Sequence, residues 1–72
     1  MSYNEVLKEY WRGYRAADAD IYACGLSYAQ RQHDYGLNGV SDTYARGYLT
    51  KVRKARERLK RAEQRLEIEA GE

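Results

Sequence analysis

Apolar side chains recur at alternating steps of three and four residues along both halves of this chain. In the first half the series is Tyr3, Leu7, Tyr10, Tyr14, Ala17, Ile21, Cys24 and Tyr28. In the second half it is Ala45, Tyr48, Val52, Ala55, Leu59, Ala62 and Leu66. These steps place every member on one face of an α-helix, and over several heptads they are typical of coiled-coil seams. The pattern predicts two long helices, each with an apolar seam.

Turn and capping residues indicate where the helices end. Ser2 and Glu5 have the spacing of a capping box at the start of the first helix. The segment 36–39, Gly-Leu-Asn-Gly, is a cluster of turn residues, and Ser41 or Asp42 can cap the second helix. A different reading ends a helix at Gly25 and restarts one at Ser27, which would give three helices.

The favoured prediction is an all-α fold with one domain over residues 1–72. It has a helix over 3–35, a turn over 36–41 and a helix over 42–69, paired as an antiparallel, coiled-coil-like two-helix hairpin. In that register Ile21 would face Leu59, and Cys24 would lie buried in the seam.

The first helix also carries a second apolar stripe, formed by Ala16, Ala19, Ala23 and Leu26. A helix that is apolar on more than one side is usually covered by more than one neighbour. A chain of 72 residues with one cysteine has no internal disulfide to stabilise it. We therefore expect a homodimer, a four-helix bundle with this stripe at its interface.

Charge is unevenly distributed along the chain. Residues 1–44 carry a net charge of −2, and residues 45–72 carry +4. A straight basic stripe on the second helix consists of Lys51, Lys54, Arg58, Arg61 and Arg65. It runs for about 21 Å, which is long enough to follow several phosphates of a nucleic acid. A solvated helix face is the simpler interpretation of the same stripe.

A short repeat of the form Tyr-x-Arg-Gly-Tyr occupies residues 10–14 and 44–48. Glycine inside a helix costs about 1 kcal/mol relative to alanine, so each glycine should have a packing role. A close helix crossing is the favoured explanation, and a tyrosine-lined groove for a partner's side chain or a base is the other. The Arg-Gly-Tyr start of a helical segment distantly resembles ribosome modulation factor. That likeness covers a few residues, and the family's glycine-rich and Cys-Pro elements are missing here.

The residue inventory gives little support for an enzyme, a metal site or a cofactor. His33 is the single histidine, and Cys24 is expected to be an inert, buried thiol. No signal peptide or membrane-spanning segment is readable, so the expected location is cytoplasmic.

The leading functional hypothesis is a small protein-binding module that dimerises and blocks or modulates a partner protein. Phage and mobile-element accessory proteins that inhibit host machinery are often of this size. The expected contact residues are Trp11, Tyr14, Arg15 and Tyr22, because Trp, Tyr and Arg dominate interface hot spots. The alternative is a nucleic-acid-binding hairpin that uses the basic stripe, and a third possibility is a structural subunit of a larger assembly.

Overall fold

A computed structural model describes residues 2–70 of the chain, with side chains as far as Ile68. Three helices follow one another: α1 (Tyr3–Cys24), α2 (Leu26–Asp34) and α3 (Asp42–Ala70). The described residues contain no β-strand, so the all-α class is confirmed. Within that part of the chain, no helix combines the length and the apolar character needed to cross a membrane.

Serine side chains cap the N-termini of the first and last helices. The Glu5 amide donates to Ser2 Oγ, and the Ser2 amide donates to the Glu5 carboxylate, so the predicted capping box is formed. At α3, the Tyr44 amide donates to Ser41 Oγ at 3.2 Å. Ser41 Oγ in turn donates to the Glu9 carboxylate at 3.2 Å, which places the start of α3 beside the first half of α1.

The prediction of one continuous helix over 3–35 is wrong, because the chain breaks at Gly25. This glycine has a φ of +94°, a conformation that side-chain-bearing residues rarely adopt. α2 restarts directly at Leu26, so Gly25 takes the capping position that the three-helix reading gave to Ser27, and no side chain caps this helix. Cys24, at the end of α1, is exposed and not buried as expected.

α1 and α3 run in the same direction. Glu9 contacts Ser41, and nine residues further along α1, Asp18 pairs with Lys51 at 3.2 Å. Contacts therefore advance together along the two helices, so the antiparallel hairpin and the register that pairs Ile21 with Leu59 are wrong. The chain reverses twice, first at Gly25 and again in the loop 35–41. α2 is the returning segment, and its Gln30 accepts a hydrogen bond from Arg56 of α3.

The repeated glycines lie where α1 and α3 touch. A Cβ atom added to Gly13 would come within 1.9 Å of the Tyr44 carbonyl oxygen. A Cβ atom added to Gly47 would come equally close to the carbonyl oxygen of Tyr10. Each repeat thus supplies a glycine to one side of the contact and a tyrosine carbonyl to the other. This arrangement is the close helix crossing that the repeat predicted.

A small core lies beside this crossing. Its fully buried members are Ala17 of α1, Ala29 of α2, and Tyr48 and Val52 of α3. The Tyr48 hydroxyl donates a hydrogen bond of 2.7 Å to the Asp20 carboxylate. Burial raises the pKa of Tyr48 well above its usual value of 10, and the bond to Asp20 raises it further. The three helices therefore meet around one tyrosine.

We expect Gly47→Ala to lower the free energy of unfolding by about 2 kcal/mol or more, because the new methyl group meets a helix backbone that has no room to move. Chemical denaturation followed by circular dichroism measures the change. The neighbouring exposed variant Arg46→Ala is the control and should change stability by less than about 0.5 kcal/mol. A Gly47→Ala protein stabilised to the extent of alanine's helix propensity would contradict the crossing.

The folded protein should lose stability as the pH rises above 10. In the unfolded chain Tyr48 releases its proton near pH 10, whereas the folded state retains it, so the unfolded state is favoured at high pH. Urea titrations between about pH 8 and pH 11 measure this slope, which for one group is at most about 1.4 kcal/mol per pH unit. Tyr48→Phe should reduce the slope. Tyr35→Phe, at a side chain that is 85% exposed, should leave it unchanged.

Candidate functional site

The crossing of α1 and α3 leaves a groove on each side, and only one of them is filled by the chain. α2 occupies the first groove, where Ala29 packs with Tyr48 and Val52. The second groove, beside Tyr14, is open. Tyr14 and Tyr48 hold the same place in the two repeats, and by the same offset Asp20 corresponds to Lys54. Tyr48 is therefore bonded to a carboxylate, whereas Tyr14 lies beside an ammonium group.

We call the open side the cationic groove. It is lined by Tyr14, Lys51, Lys54, Arg58 and Arg61, together with Glu57. The Nζ atoms of Lys51 and Lys54 each lie 5.4 Å from the centre of the Tyr14 ring, within the range of a cation–π interaction. The half-buried tyrosine thus lies next to two positive charges at one end of the groove.

Most of the positive charge in the cationic groove is not neutralised by neighbours. Lys51 is paired with Asp18, but Lys54, Arg58 and Arg61 are exposed and form no ion pair with other described residues. Cations lined up on one helix face raise the local positive potential and attract anions. An anionic ligand would therefore gain favourable interactions here without first displacing an internal carboxylate from these three side chains.

Trp11 adjoins the cationic groove. Its ring makes edge-on contacts with Tyr10 and Tyr14, with centroid separations of 5.2 Å in both cases. The other side of Trp11 borders what we call the Trp11 depression, which is lined by Asn4, Leu7, Lys8, Trp11, Arg12 and Arg15. Aromatic and basic side chains thus form one continuous surface from α1 to α3.

The structure brings some of the predicted contact residues together and separates others. Trp11, Tyr14 and Arg15 belong to this continuous surface. Tyr22 is 95% exposed, but it is about 16 Å further along α1 than Trp11 and outside the cationic groove. Of the basic stripe, the first four residues line the groove, while Arg65 is exposed further along α3.

The stripe predicted to form a dimer interface is partly covered within one chain. Ala16 and Leu26 pack against the core that includes α2, and only Ala19 and Ala23 are exposed. The predicted surplus of apolar surface on the first helix is thus reduced by α2. At this stripe a second copy would find only Ala19 and Ala23 exposed.

A separate depression lies on a different side of α3, next to the start of α2. It is lined by Leu26, Arg53, Arg56, Glu57, Leu59, Lys60 and Glu63. Basic and acidic side chains are interspersed there, and Arg56 is engaged by Gln30. It lacks an aromatic ring and has two acidic residues among its lining, whereas Glu57 is the one acidic residue that lines the cationic groove, so it is a useful reference surface for mutagenesis.

The repeat in the sequence is the feature that indicates a contact between Tyr14 and the basic stripe. Aligning the two repeats sets Asp20 over Lys54, so a contact between Tyr48 and Asp20 implies one between Tyr14 and Lys54. Lys8, which lines the Trp11 depression, was not among the predicted site residues. Chemically, the surface is suited to holding an anionic ligand that also has planar or apolar parts.

No protein-family model matches this chain, and neither a curated protein nor a solved structure shows a significant match to it.

Proposed function

We propose that this protein is a non-enzymatic nucleic-acid-binding protein that holds the phosphate backbone in the cationic groove. The observation that carries the proposal is the position of Tyr14 beside two lysines at the start of the basic stripe. Proteins that bind nucleic acid without reading its sequence combine a positive groove with aromatic side chains in this way. Affinity should come mainly from phosphate contacts and should fall steeply with salt.

The dimensions of the surface support the same function. The basic residues from Lys51 to Arg61 cover about 15 Å of α3, and Lys8 and Arg15 add charge on the α1 side of Trp11. The phosphates of a nucleic-acid strand follow one another at short, regular intervals. Several of these cations can therefore each contact a phosphate of the same strand. A single small anion would occupy only part of this surface.

The relative position of α1 and α3 favours a nucleic acid over a protein partner. The sequence favoured a protein partner because the chain is small, its first helix has surplus apolar and aromatic surface, and no site for chemistry could be assembled. The aromatic residues and the basic stripe lie on different helices. The parallel crossing of α1 and α3 joins them, since Tyr14 contacts the stripe and Trp11 contacts Tyr14. A surface that is both cationic and aromatic suits a nucleic acid better than it suits the apolar core of a protein interface.

Reversing the groove charges should abolish binding. We expect the triple variant Lys54→Glu, Arg58→Glu, Arg61→Glu to bind structured RNA and duplex DNA at least about 100-fold more weakly at low salt, since each lost phosphate contact removes counterion release. Fluorescence anisotropy with labelled nucleic acid measures affinity, and the dependence on salt should become shallower.

The matched control reverses three basic residues on a different side of α3: Arg46→Glu, Arg53→Glu and Lys60→Glu. Net charge changes equally in the two variants, and all six side chains are exposed. The control should bind at least about tenfold more tightly than the groove variant. If both variants lost affinity equally, net charge alone would account for binding, and the groove would not be the binding site. No binding by the unaltered protein at low salt would refute the function.

A protein partner is the second candidate, and the exposure of Tyr22 favours it. Tyr22 is 95% exposed on the same side of α1 as Trp11 and Arg15. An aromatic side chain so fully presented to solvent suits a hot spot that a partner would cover. In this role the chain would block or modulate the partner, and it would do so as a homodimer if Ala19 and Ala23 contact a second copy.

Tyr22→Ala tests this second candidate without touching the cationic groove. If a protein partner covers Tyr22, affinity capture should lose that partner, and a dimer seen by sedimentation equilibrium should weaken with Ala19→Glu. We expect nucleic-acid affinity to be unchanged in both variants. Capture and oligomeric state identical to those of the unaltered protein would eliminate the candidate.

A further inference from the structure

Trp11 is the one tryptophan of the chain, and it lies on the surface. Its side chain is 48% exposed, although tryptophan is among the residues that gain most from burial. The contact with Tyr10 has an interplanar angle of 88°, and the contact with Tyr14 has an angle of 68°. Two edge-on neighbours hold the indole in place while leaving part of its surface open to solvent.

Positive charge lies on both sides of this indole. Lys8 and Arg15 border it on α1, because they stand three residues before it and four residues after it on the same helix face. On the other side, Tyr14 links the indole to the ammonium groups of Lys51 and Lys54. A ligand lying across Trp11 would therefore meet cations at each end and a flat apolar ring in the middle.

A nucleic-acid strand with unpaired bases has this alternation of anionic groups and planar rings. In a duplex the faces of the bases are covered by their neighbours, so a protein ring reaches only groove edges and the backbone. In a single strand or a loop the bases can turn outward and stack on an aromatic side chain. The Trp11 depression, which Leu7 also lines, is open to a planar ring that a duplex does not offer.

We propose that Trp11 is a stacking platform for an unpaired nucleobase, so that the protein prefers single-stranded segments to duplexes. The inference rests on the proposed nucleic-acid binding and adds the class of nucleic acid to it. Lys51 and Lys54 hold the adjoining phosphates, and Lys8 and Arg15 hold the phosphates on the far side of the stacked base.

Intrinsic fluorescence tests the stacking directly, because all tryptophan emission comes from Trp11. The unaltered protein is titrated with a single-stranded oligonucleotide of about 16 nucleotides and, separately, with the same strand annealed into a duplex. We expect the single strand to quench the emission and to bind more tightly than the duplex. The duplex should cause little quenching even at saturation.

Anisotropy with the same labelled strands then compares variants. Trp11→Ala should weaken single-strand binding about tenfold or more, within the range that one stacked base contributes, and should leave duplex affinity unchanged. Trp11→Phe should restore part of the loss. Tyr22→Ala is the matched control, since it removes an exposed aromatic side chain from the same helix, and it should have no effect.

Failure of this inference differs from failure of the proposed function. If Trp11→Ala lowers neither affinity, or lowers both equally, while groove charge reversal still abolishes binding, the stacking platform is wrong and nucleic-acid binding stands. If oligo-glutamate binds as tightly as the single strand, the surface serves an acidic protein and both proposals are wrong. Circular dichroism confirms that each variant retains the helical fold.

Discussion

The rest of the structure depends on the contact between two helix backbones at Gly13 and Gly47. Each glycine lies against a carbonyl of the other helix, and no larger residue fits at either place. Contact this close brings α1 and α3 together with few side chains between them, which explains how four buried hydrophobic side chains suffice for a core. It also fixes the relative position of the two helices, because sliding one along the other would press side chains against backbone.

The crossing creates two related grooves, and the sequence treats them differently. On one side an acidic residue, Asp20, fixes Tyr48, and α2 covers the result. On the other side Lys54 takes the corresponding position, and Tyr14 is left beside charges that repel one another. One groove has become the core of the molecule and the other has become its candidate binding surface. The two grooves thus differ most clearly in the charge at one pair of equivalent positions, Asp20 and Lys54.

Local features of the fold were predictable from the sequence. The capping box at Ser2 and the start of α3 at Ser41 depend on residues close together in the chain, and the packing role of the glycines was indicated by their place in the repeat. Helix direction was not predictable in the same way. Because the three-and-four spacing continues through Gly25 to Tyr28, the periodicity gave no sign of the reversal that a positive φ produces there. The wrong helix direction also hid the site, because an antiparallel register keeps Tyr14 away from Lys51 and Lys54.

α3 is a 29-residue helix that extends well beyond the end of the bundle. Past Val52 its side chains become progressively more open to water, and Leu59 and Leu66 are 51% and 65% exposed. Its inner part is held by tertiary packing, whereas its outer part is held by its own backbone hydrogen bonds, and an isolated helix of that length is only marginally stable. The inner part of α3 is therefore held more firmly than the part that extends beyond the bundle. Lys51 and Lys54 lie on the packed part of the helix, whereas Arg61 and Arg65 lie on the outer part, where fixing a side chain in place would cost more conformational entropy.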